Sequence, residues 1–138
     1  MNRKKTLTSL LFLLMAALFA FSACAPQEAE VVEAPALETL PLEINVHQAA
    51  EWRDEGYFML DVREPEEWAA GHIPDATLIP LGELGTRFEE LPTDQPIIVY
   101  CRSGNRSAQA RDFLLGMFPA TTSMSGGFNE WVAAGYEA

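Results

Sequence analysis

One short segment combines a nucleophile with the features of an anion-binding loop. Cys101 follows directly after the apolar residues 97–100, and residues 102–107 read Arg-Ser-Gly-Asn-Arg-Ser. A loop of small residues that leads into a helix allows successive backbone N–H groups to point inward and bind an anion. The same field lowers the pKa of a cysteine, and the thiolate is the nucleophilic form. The sequence therefore predicts an activated thiolate at Cys101.

The charges near this segment favour a small anionic substrate. Arg102, Arg106 and Arg111 lie within ten residues, and no acidic residue occurs between positions 95 and 111. Local potential, rather than net charge, governs the capture of a small anion. A buried structural cysteine is the alternative, but such a role does not account for the glycine, asparagine and arginines that surround Cys101.

Composition excludes several other classes of protein. The 138 residues carry a formal net charge of −11, and binding to nucleic acid needs a basic face. Two cysteines are too few for a disulfide scaffold or a four-thiolate zinc site. With only two histidines, a histidine-rich metal site is not expected either. We therefore expect no nucleic acid partner and no metal.

The N-terminus is typical of a secretion signal. Basic residues at positions 3–5 precede an unbroken apolar stretch at 10–21, which is too short to span a bilayer comfortably. Residues 21–24, Phe-Ser-Ala-Cys, resemble the bacterial lipobox, in which the cysteine becomes the lipid-modified first residue. The sequence predicts a lipoprotein-type signal peptide at 1–23 and lipidation of Cys24. A retained N-terminal anchor is the alternative.

Residues 24–41 are expected to form an acidic tether. This segment contains three prolines and four glutamates but no basic residue, which favours an extended, self-repelling chain. Beyond residue 23, six arginines face 20 acidic residues, so electrostatics will not hold the protein to an anionic membrane. The lipid at Cys24 would be the anchor. We expect an exported protein whose domain lies in the periplasm or otherwise outside the cytoplasmic membrane.

Strand and helix patterns alternate along residues 42–138, which we assign to one domain. Apolar stretches predict strands at 57–62, 76–79, 97–100 and 121–124. Helices are predicted after an N-cap at Asn45, from Pro65, over positions 84, 88 and 91, over positions 110, 113, 114 and 117, and from Phe128 to a stop at Gly135. The alternation predicts an α/β fold, in which a small parallel β-sheet is flanked by helices on both faces.

Three stretches of this domain resemble the rhodanese family of sulfurtransferases. They are residues 60–76, which contain a Gly-His-Ile-Pro motif, the loop 101–107, and the Gly-Gly-Phe-x-x-Trp motif at 126–131. The resemblance spans residues 42–138 and is closest to single-domain, exported members. Asp75 stands where the family usually has glycine, and aspartate tolerates left-handed backbone geometry better than most residues.

The resemblance implies sulfur transfer through a cysteine persulfide. The Cys101 thiolate would attack the outer sulfur of thiosulfate or a related sulfane donor, and the persulfide would pass that sulfur to cyanide or a thiol. The side chains of Arg102 and Arg106 would attract the anionic donor. No metal or organic cofactor is implied. The persulfide would be held by backbone N–H groups of the loop residues Arg102, Ser103, Gly104, Asn105 and Arg106.

Four further members of the family signature are expected to have structural roles: Asp61, Arg63, Glu67 and His72. Arg63 and Glu67 are four residues apart and could pair with each other or cap the turn between strand and helix. We expect His72 to tie a turn together rather than to transfer protons.

Two alternatives to a sulfurtransferase remain open. A tethered interaction or sulfur-carrier module would have the same loop without turnover. Cysteine-dependent phosphatases and arsenate reductases are a more distant possibility, because they place five residues between cysteine and arginine, whereas four separate Cys101 from Arg106. The shorter loop suits a single extra sulfur atom better than a tetrahedral phosphate. No partner-binding motif is present, so a monomer is expected.

Overall fold

Parallel strands form one sheet in the order β1-β5-β4-β2-β3. The computed structural model describes residues 39–138; the predicted signal peptide, Cys24 and most of the tether therefore lie outside the described residues. The strands are β1 (Glu43–Ile44), β2 (Phe58–Asp61), β3 (Thr77–Leu78), β4 (Ile97–Tyr100) and β5 (Thr121–Met124). Every strand pair is parallel.

Helices alternate with the strands, as the sequence pattern predicts. They are α1 (Val46–Asp54), α2 (Pro65–Ala69), α3 (Leu84–Arg87), α4 (Asn105–Leu114) and α5 (Gly127–Ala133), and a short 3₁₀ helix spans Phe88–Glu90. Pro65 begins α2, where a missing N–H leaves no hydrogen bond unmade. Gly135 has φ +82° directly after α5, which is the backbone geometry of a helix stop.

The sheet is covered by helices on both faces, which confirms the predicted fold class. One core contains Ala49 of α1 and Trp131 of α5, packed with Ile98 of β4. The other contains Leu84 of α3 and Ala110 of α4, packed with other residues of the same strands. Strand residues alternate between the two cores because successive side chains point to opposite faces.

Strand β4 is central and fully buried, as its unbroken apolar sequence predicts. It pairs with β2 on one side and β5 on the other. Since all the strands run in one direction, the loops that follow β2, β4 and β5 lie at the same edge of the sheet. This edge is where ligands bind in open parallel sheets.

Several local predictions from the sequence were wrong. Strand β1 was not predicted, because a two-residue edge strand has no pattern of its own and exists only through pairing with β5. The predicted apolar face of α4 included Phe113 and Met117, yet both are more than 40% exposed. The helix ends at Leu114, and its buried residues are Ser107, Ala110 and Leu114.

The N-cap predicted at Asn45 is confirmed. The Asn45 side chain accepts a hydrogen bond from the backbone N–H of Gln48 at 3.0 Å, at the start of α1. Within residues 39–138, no helix has the length and apolar character needed to cross a membrane.

Candidate active site

Cys101 lies at the carboxyl end of the central strand, between β4 and α4. The residue is buried, and the loop turns sharply after it because Gly104 has φ +106°, a conformation that side chains rarely allow. Helix α4 then begins at Asn105. A strand that ends in a cysteine and a helix that starts four residues later thus place the sulfur beneath the first turn of α4.

The loop stabilises the ionised form of the thiol. The backbone N–H of Gly104 donates to the Cys101 Sγ at 3.1 Å. Burial raises the pKa of the Cys101 thiol, but hydrogen bonds from the backbone N–H groups of Ser107, Ser103 and Gly104 and from the Ser107 hydroxyl together bring it below its ordinary value. These donors favour the thiolate of Cys101, which is the reactive form of the nucleophile.

A cavity of about 410 Å³ opens over this sulfur. Five of its lining residues belong to the loop and the start of α4, and the sixth comes from α2: Cys101, Arg102, Ser103, Asn105, Arg106 and Glu67.

Glu67 pairs with Arg106 rather than with Arg63, so the first of the two expected roles was wrong. The second, capping of the turn before α2, is confirmed for Glu67, which accepts from the backbone N–H of Glu64 at 3.1 Å. The two carboxylate oxygens of Glu67 each accept from one terminal nitrogen of Arg106, both at 2.8 Å. Arg63 turns the other way, into the core. The first turn of α2 faces the first turn of α4, so a residue 39 positions distant becomes the partner. Glu67 therefore lines the cavity and also holds the side chain of Arg106 in position.

Within residues 39–138, Arg102 is the cation of this cavity that has no carboxylate partner. Among residues 39–138 there are six arginines, and the other five each lie within 4 Å of a carboxylate oxygen. Arg111 does not add to the charge at the cavity, contrary to the expectation from the sequence. It pairs with Asp112 and donates to the Leu42 carbonyl oxygen and the Ser123 hydroxyl, along the β1–β5 edge.

The start of α5 holds the loop from the other side. The backbone N–H of Asn129 donates to the Arg102 carbonyl oxygen at 3.0 Å, and that of Phe128 donates to the Cys101 carbonyl oxygen. Gly127 has φ +58°, and a Cβ there would collide with the carbonyl groups of Cys101 and Arg102. A glycine is required at this position because the two loops touch through their backbones.

Asp61 and Arg63 form a buried ion pair behind the cavity. Both side chains are at most 3% exposed, and the Arg63 Nη2 lies 2.7 Å from Asp61 Oδ2. The same nitrogen donates to the Gly71 carbonyl oxygen at 2.9 Å, and the guanidinium carbon lies 4.1 Å from the ring centre of Phe128. The pair thus connects the end of β2 to the turn after α2 and to the first turn of α5.

His72 lies outside the lining of the cavity. Its ring stacks on Trp68 with 3.7 Å between the ring centres, and its Nδ1 is 3.2 Å from the Trp68 carbonyl oxygen. These contacts join the end of α2 to the turn that follows. Asp75 adopts the left-handed backbone expected of it, with φ +63°.

Two contributors to the site were absent from the set inferred from the sequence. Ser107 was seen as part of the loop but not as a donor, although its position in the first turn of α4 was a usable signal. Gly127 was noted only within a motif. Two consecutive glycines before a helix, at 126–127, indicate a backbone that must come close to something, but nothing in the sequence names the neighbour.

A cysteine sulfur surrounded by hydrogen-bond donors, at the carboxyl edge of a parallel sheet, defines a class of α/β protein that does its chemistry through a cysteine nucleophile. A family model described as the rhodanese-like domain matches residues 45–134. The chain belongs to the rhodanese-like family. The loop 101–107, which carried part of the resemblance in the sequence, lies at this edge of the sheet.

Individual relatives agree with this assignment. The chain is 37% identical over 82 residues to a sulfurtransferase of Allochromatium vinosum, which covers 59% of this chain and 77% of that protein. It is 36% identical over 89 residues to a thiosulfate sulfurtransferase of Pseudomonas entomophila, covering 64% and 82% respectively. The crystal structure of a rhodanese-related protein from Thermoplasma volcanium matches with a TM-score of 0.66 at 35% identity, over 70% of this chain and 95% of that one. These similarities support sulfurtransferase activity in general.

Proposed function

We propose that this protein takes the outer sulfur of thiosulfate, or of a related sulfane donor, onto Cys101 and passes it to cyanide or a thiol. The observation that carries the proposal is the 3.1 Å hydrogen bond from the Gly104 N–H to the Cys101 Sγ, at the floor of an open cavity. Backbone donors in that position stabilise a negative charge on sulfur, and they can do so again when the charge moves to a second sulfur atom.

The first half of the reaction is a displacement at sulfur. The Cys101 thiolate attacks the outer sulfur of thiosulfate, a new S–S bond forms, and the S–S bond of the donor breaks. Sulfite leaves with the electron pair, and the cysteine persulfide keeps one negative charge. Arg102, which has no carboxylate partner in the part of the chain that the structure describes, would draw the donor into the cavity.

In the second half, the acceptor attacks the outer sulfur of the persulfide. Cyanide leaves as thiocyanate, or a thiolate leaves as a persulfide, and the Cys101 thiolate is restored with its electron pair. No oxidant or reductant is needed, because sulfur is transferred without a net change in oxidation state of the enzyme. The two half-reactions share one cavity, so ping-pong kinetics are expected.

Intact mass spectrometry tests the first half directly. The purified protein should gain one sulfur atom on treatment with thiosulfate and lose it on addition of cyanide. The Cys101→Ser variant should gain none, while Cys24→Ser, which removes the other cysteine, should behave as the wild type. A folded protein that gains no sulfur from any sulfane donor would contradict the proposal and favour the interaction-module or phosphatase alternatives.

We also propose that the protein is exported as a monomeric lipoprotein anchored at Cys24. The support is the sequence alone: a basic start, a short apolar stretch and the lipobox-like residues 21–24. Cells that express the full chain should incorporate labelled fatty acid into it, and Cys24→Ala should abolish the label. A cytoplasmic, unlabelled wild-type protein would refute the proposal. Light scattering of the purified protein tests the monomer.

A further inference from the structure

A carboxylate lines the cavity. In the part of the chain that the structure describes, Glu67 is the only acidic lining residue, and it belongs to α2 rather than to the loop. Its side chain is 27% exposed, so it is partly open to the solvent that enters the cavity. A negative charge is unexpected in a site that must bind an anionic donor, because like charges repel across a short distance.

This carboxylate is held in place and is ionised at neutral pH. Each of its oxygens accepts a hydrogen bond from Arg106, and Oε2 also accepts from the backbone N–H of Glu64 at 3.1 Å. The hydrogen bonds from Arg106 lower the pKa of Glu67 to about 2, against the opposing effect of its burial. Glu67 therefore carries a negative charge at pH values well above its pKa of about 2.

Glu67 changes the net charge of the cavity in which the sulfur donor binds. Arg102 and Arg106 contribute two positive charges to the lining, and the Cys101 thiolate and Glu67 contribute two negative charges. Without Glu67 the site would attract a dianion strongly. With Glu67 present, the second negative charge of a dianionic donor adds little to its binding free energy. A donor with one negative charge and an uncharged group therefore binds more favourably than a dianion.

We propose that Glu67 sets the donor specificity of the site, so that monoanionic sulfane donors such as organic thiosulfonates are favoured over dianions such as thiosulfate. The proposal rests on the sulfur-transfer function proposed above and narrows its substrate class. Glu67 acts here through its charge on the bound donor. A purely structural role, as a strut that positions Arg106, would affect both kinds of donor equally.

Two sulfur donors of different charge can distinguish an effect of the Glu67 charge from a purely structural role of Glu67. Thiosulfate carries two negative charges and releases sulfite; benzenethiosulfonate carries one and releases a sulfinate. In a ping-pong reaction, kcat/KM for the donor reports the first half-reaction only, so both can be measured with cyanide as the common acceptor. The readout is the ratio of kcat/KM for thiosulfate to kcat/KM for benzenethiosulfonate.

The Glu67→Gln variant should raise this ratio about five-fold at low ionic strength, since it removes one negative charge a few ångströms from the donor. Added salt should shrink the effect. Glu66→Gln is the matched control. It removes the same charge from the neighbouring residue of α2, which is exposed and does not line the cavity, so the ratio should not change.

Two further variants guard against a trivial result. Glu67→Asp keeps the charge while moving the carboxylate and should leave the ratio near that of the wild type. Arg106→Gln removes a positive charge from the lining and lowers the ratio by itself. Adding Glu67→Gln to Arg106→Gln should raise the ratio again, and this step tests the charge of Glu67 without breaking its ion pair. Equal changes with both donors in Glu67→Gln would overturn the inference, as would an unchanged ratio when Glu67→Gln is added to Arg106→Gln. If the wild type transfers sulfur from neither donor, the proposed function itself has failed.

Discussion

The backbone N–H of Phe128 donates to the carbonyl oxygen of Cys101 at 2.7 Å, which ties the first turn of α5 to the residue that carries the thiol. The aromatic ring of Phe128 packs against Arg63, whose guanidinium carbon lies 4.1 Å from the ring centre. The reactive loop is therefore held by backbone contacts between two loops at one edge of the sheet, and the buried ion pair of Arg63 supports that contact from behind.

Gly127→Ala should disrupt this contact. A Cβ at Gly127 meets the backbone of Cys101 and Arg102 at a positive φ, so we expect a loss of stability on the order of 3 kcal/mol. We also expect kcat/KM for the sulfur donor to fall about ten-fold, because the Cys101 sulfur moves away from the N–H groups that bind it. Urea unfolding and steady-state assays measure the two effects.

Gly135→Ala is the matched control for that change. Gly135 also has a positive φ at an end of α5, but its Cβ would meet no atom within 4 Å. It should cost about 1 kcal/mol of stability through backbone strain alone and leave activity unchanged. Equal losses of activity in both variants would show that the Gly127 contact does not position the loop.

Arg102→Ala should weaken capture of an anionic donor. Because the five other arginines of residues 39–138 are engaged with carboxylates, Arg102 is the cation free to bind. We expect the KM for thiosulfate to rise about ten-fold, with a smaller change in kcat. The rate should also become less sensitive to salt.

Arg87→Ala provides the comparison for Arg102→Ala. It removes the same formal charge from α3, where Arg87 pairs with Glu83 and Glu90 and does not line the cavity. Its KM should stay at the wild-type value. If both variants raise KM alike, net charge rather than the local position of Arg102 governs capture.

The pH dependence of thiol reactivity should report the donors around Cys101. The pKa of this thiol is below its ordinary value, so alkylation of the wild type should reach half its maximal rate at a lower pH than a free cysteine. Ser107→Ala removes a hydroxyl that lowers the pKa of the thiol and also donates to the Gly104 carbonyl oxygen of the loop at 2.9 Å, so it should move the midpoint to higher pH. Ser103→Ala keeps the backbone N–H through which Ser103 acts and should leave it unmoved. An unchanged midpoint in Ser107→Ala would contradict the role assigned to the Ser107 hydroxyl.

Acid should destabilise the protein partly through Glu67. The pKa of Glu67 is lowered by its hydrogen bonds to Arg106, from 4.5 to about 2, so the pair contributes stability above the unfolded value. That stability is lost as the pH falls from about 5 towards 2, when the carboxylate must be protonated, and it amounts to on the order of 2 kcal/mol for a partly exposed pair.

Urea unfolding at pH 7 and at pH 3 checks this linkage. The wild type should lose more of its free energy of unfolding across this interval than Glu67→Gln, which has no carboxylate to protonate. Glu66→Gln should behave as the wild type, since Glu66 is exposed and makes no ion pair in the described residues. A wild type that loses no more than Glu67→Gln would refute the assignment.

Local chemistry made much of the fold readable in advance. Residues 97–100 are apolar without interruption, which only a strand covered on both faces can accommodate, and β4 is that strand. Pro65 and Gly135 mark a helix start and a helix stop because their backbones favour those geometries. The weaker elements escaped prediction. Strand β1 exists only because β5 offers it hydrogen bonds, and no local pattern encodes a partner 80 residues away.

In the candidate site, too, the features that are local in the sequence could be predicted and those that depend on long-range contacts could not. The nucleophile, the loop of backbone donors and the turn glycine at position 104 are consecutive in the chain, so their chemistry could be inferred from spacing alone. The partners of the charged residues could not. Glu67 and Arg106 are 39 positions apart, and Arg63, four residues from Glu67, bonds Asp61 instead. Ion pairs depend on which helix ends face each other, and that arrangement is set by how the helices pack on the sheet.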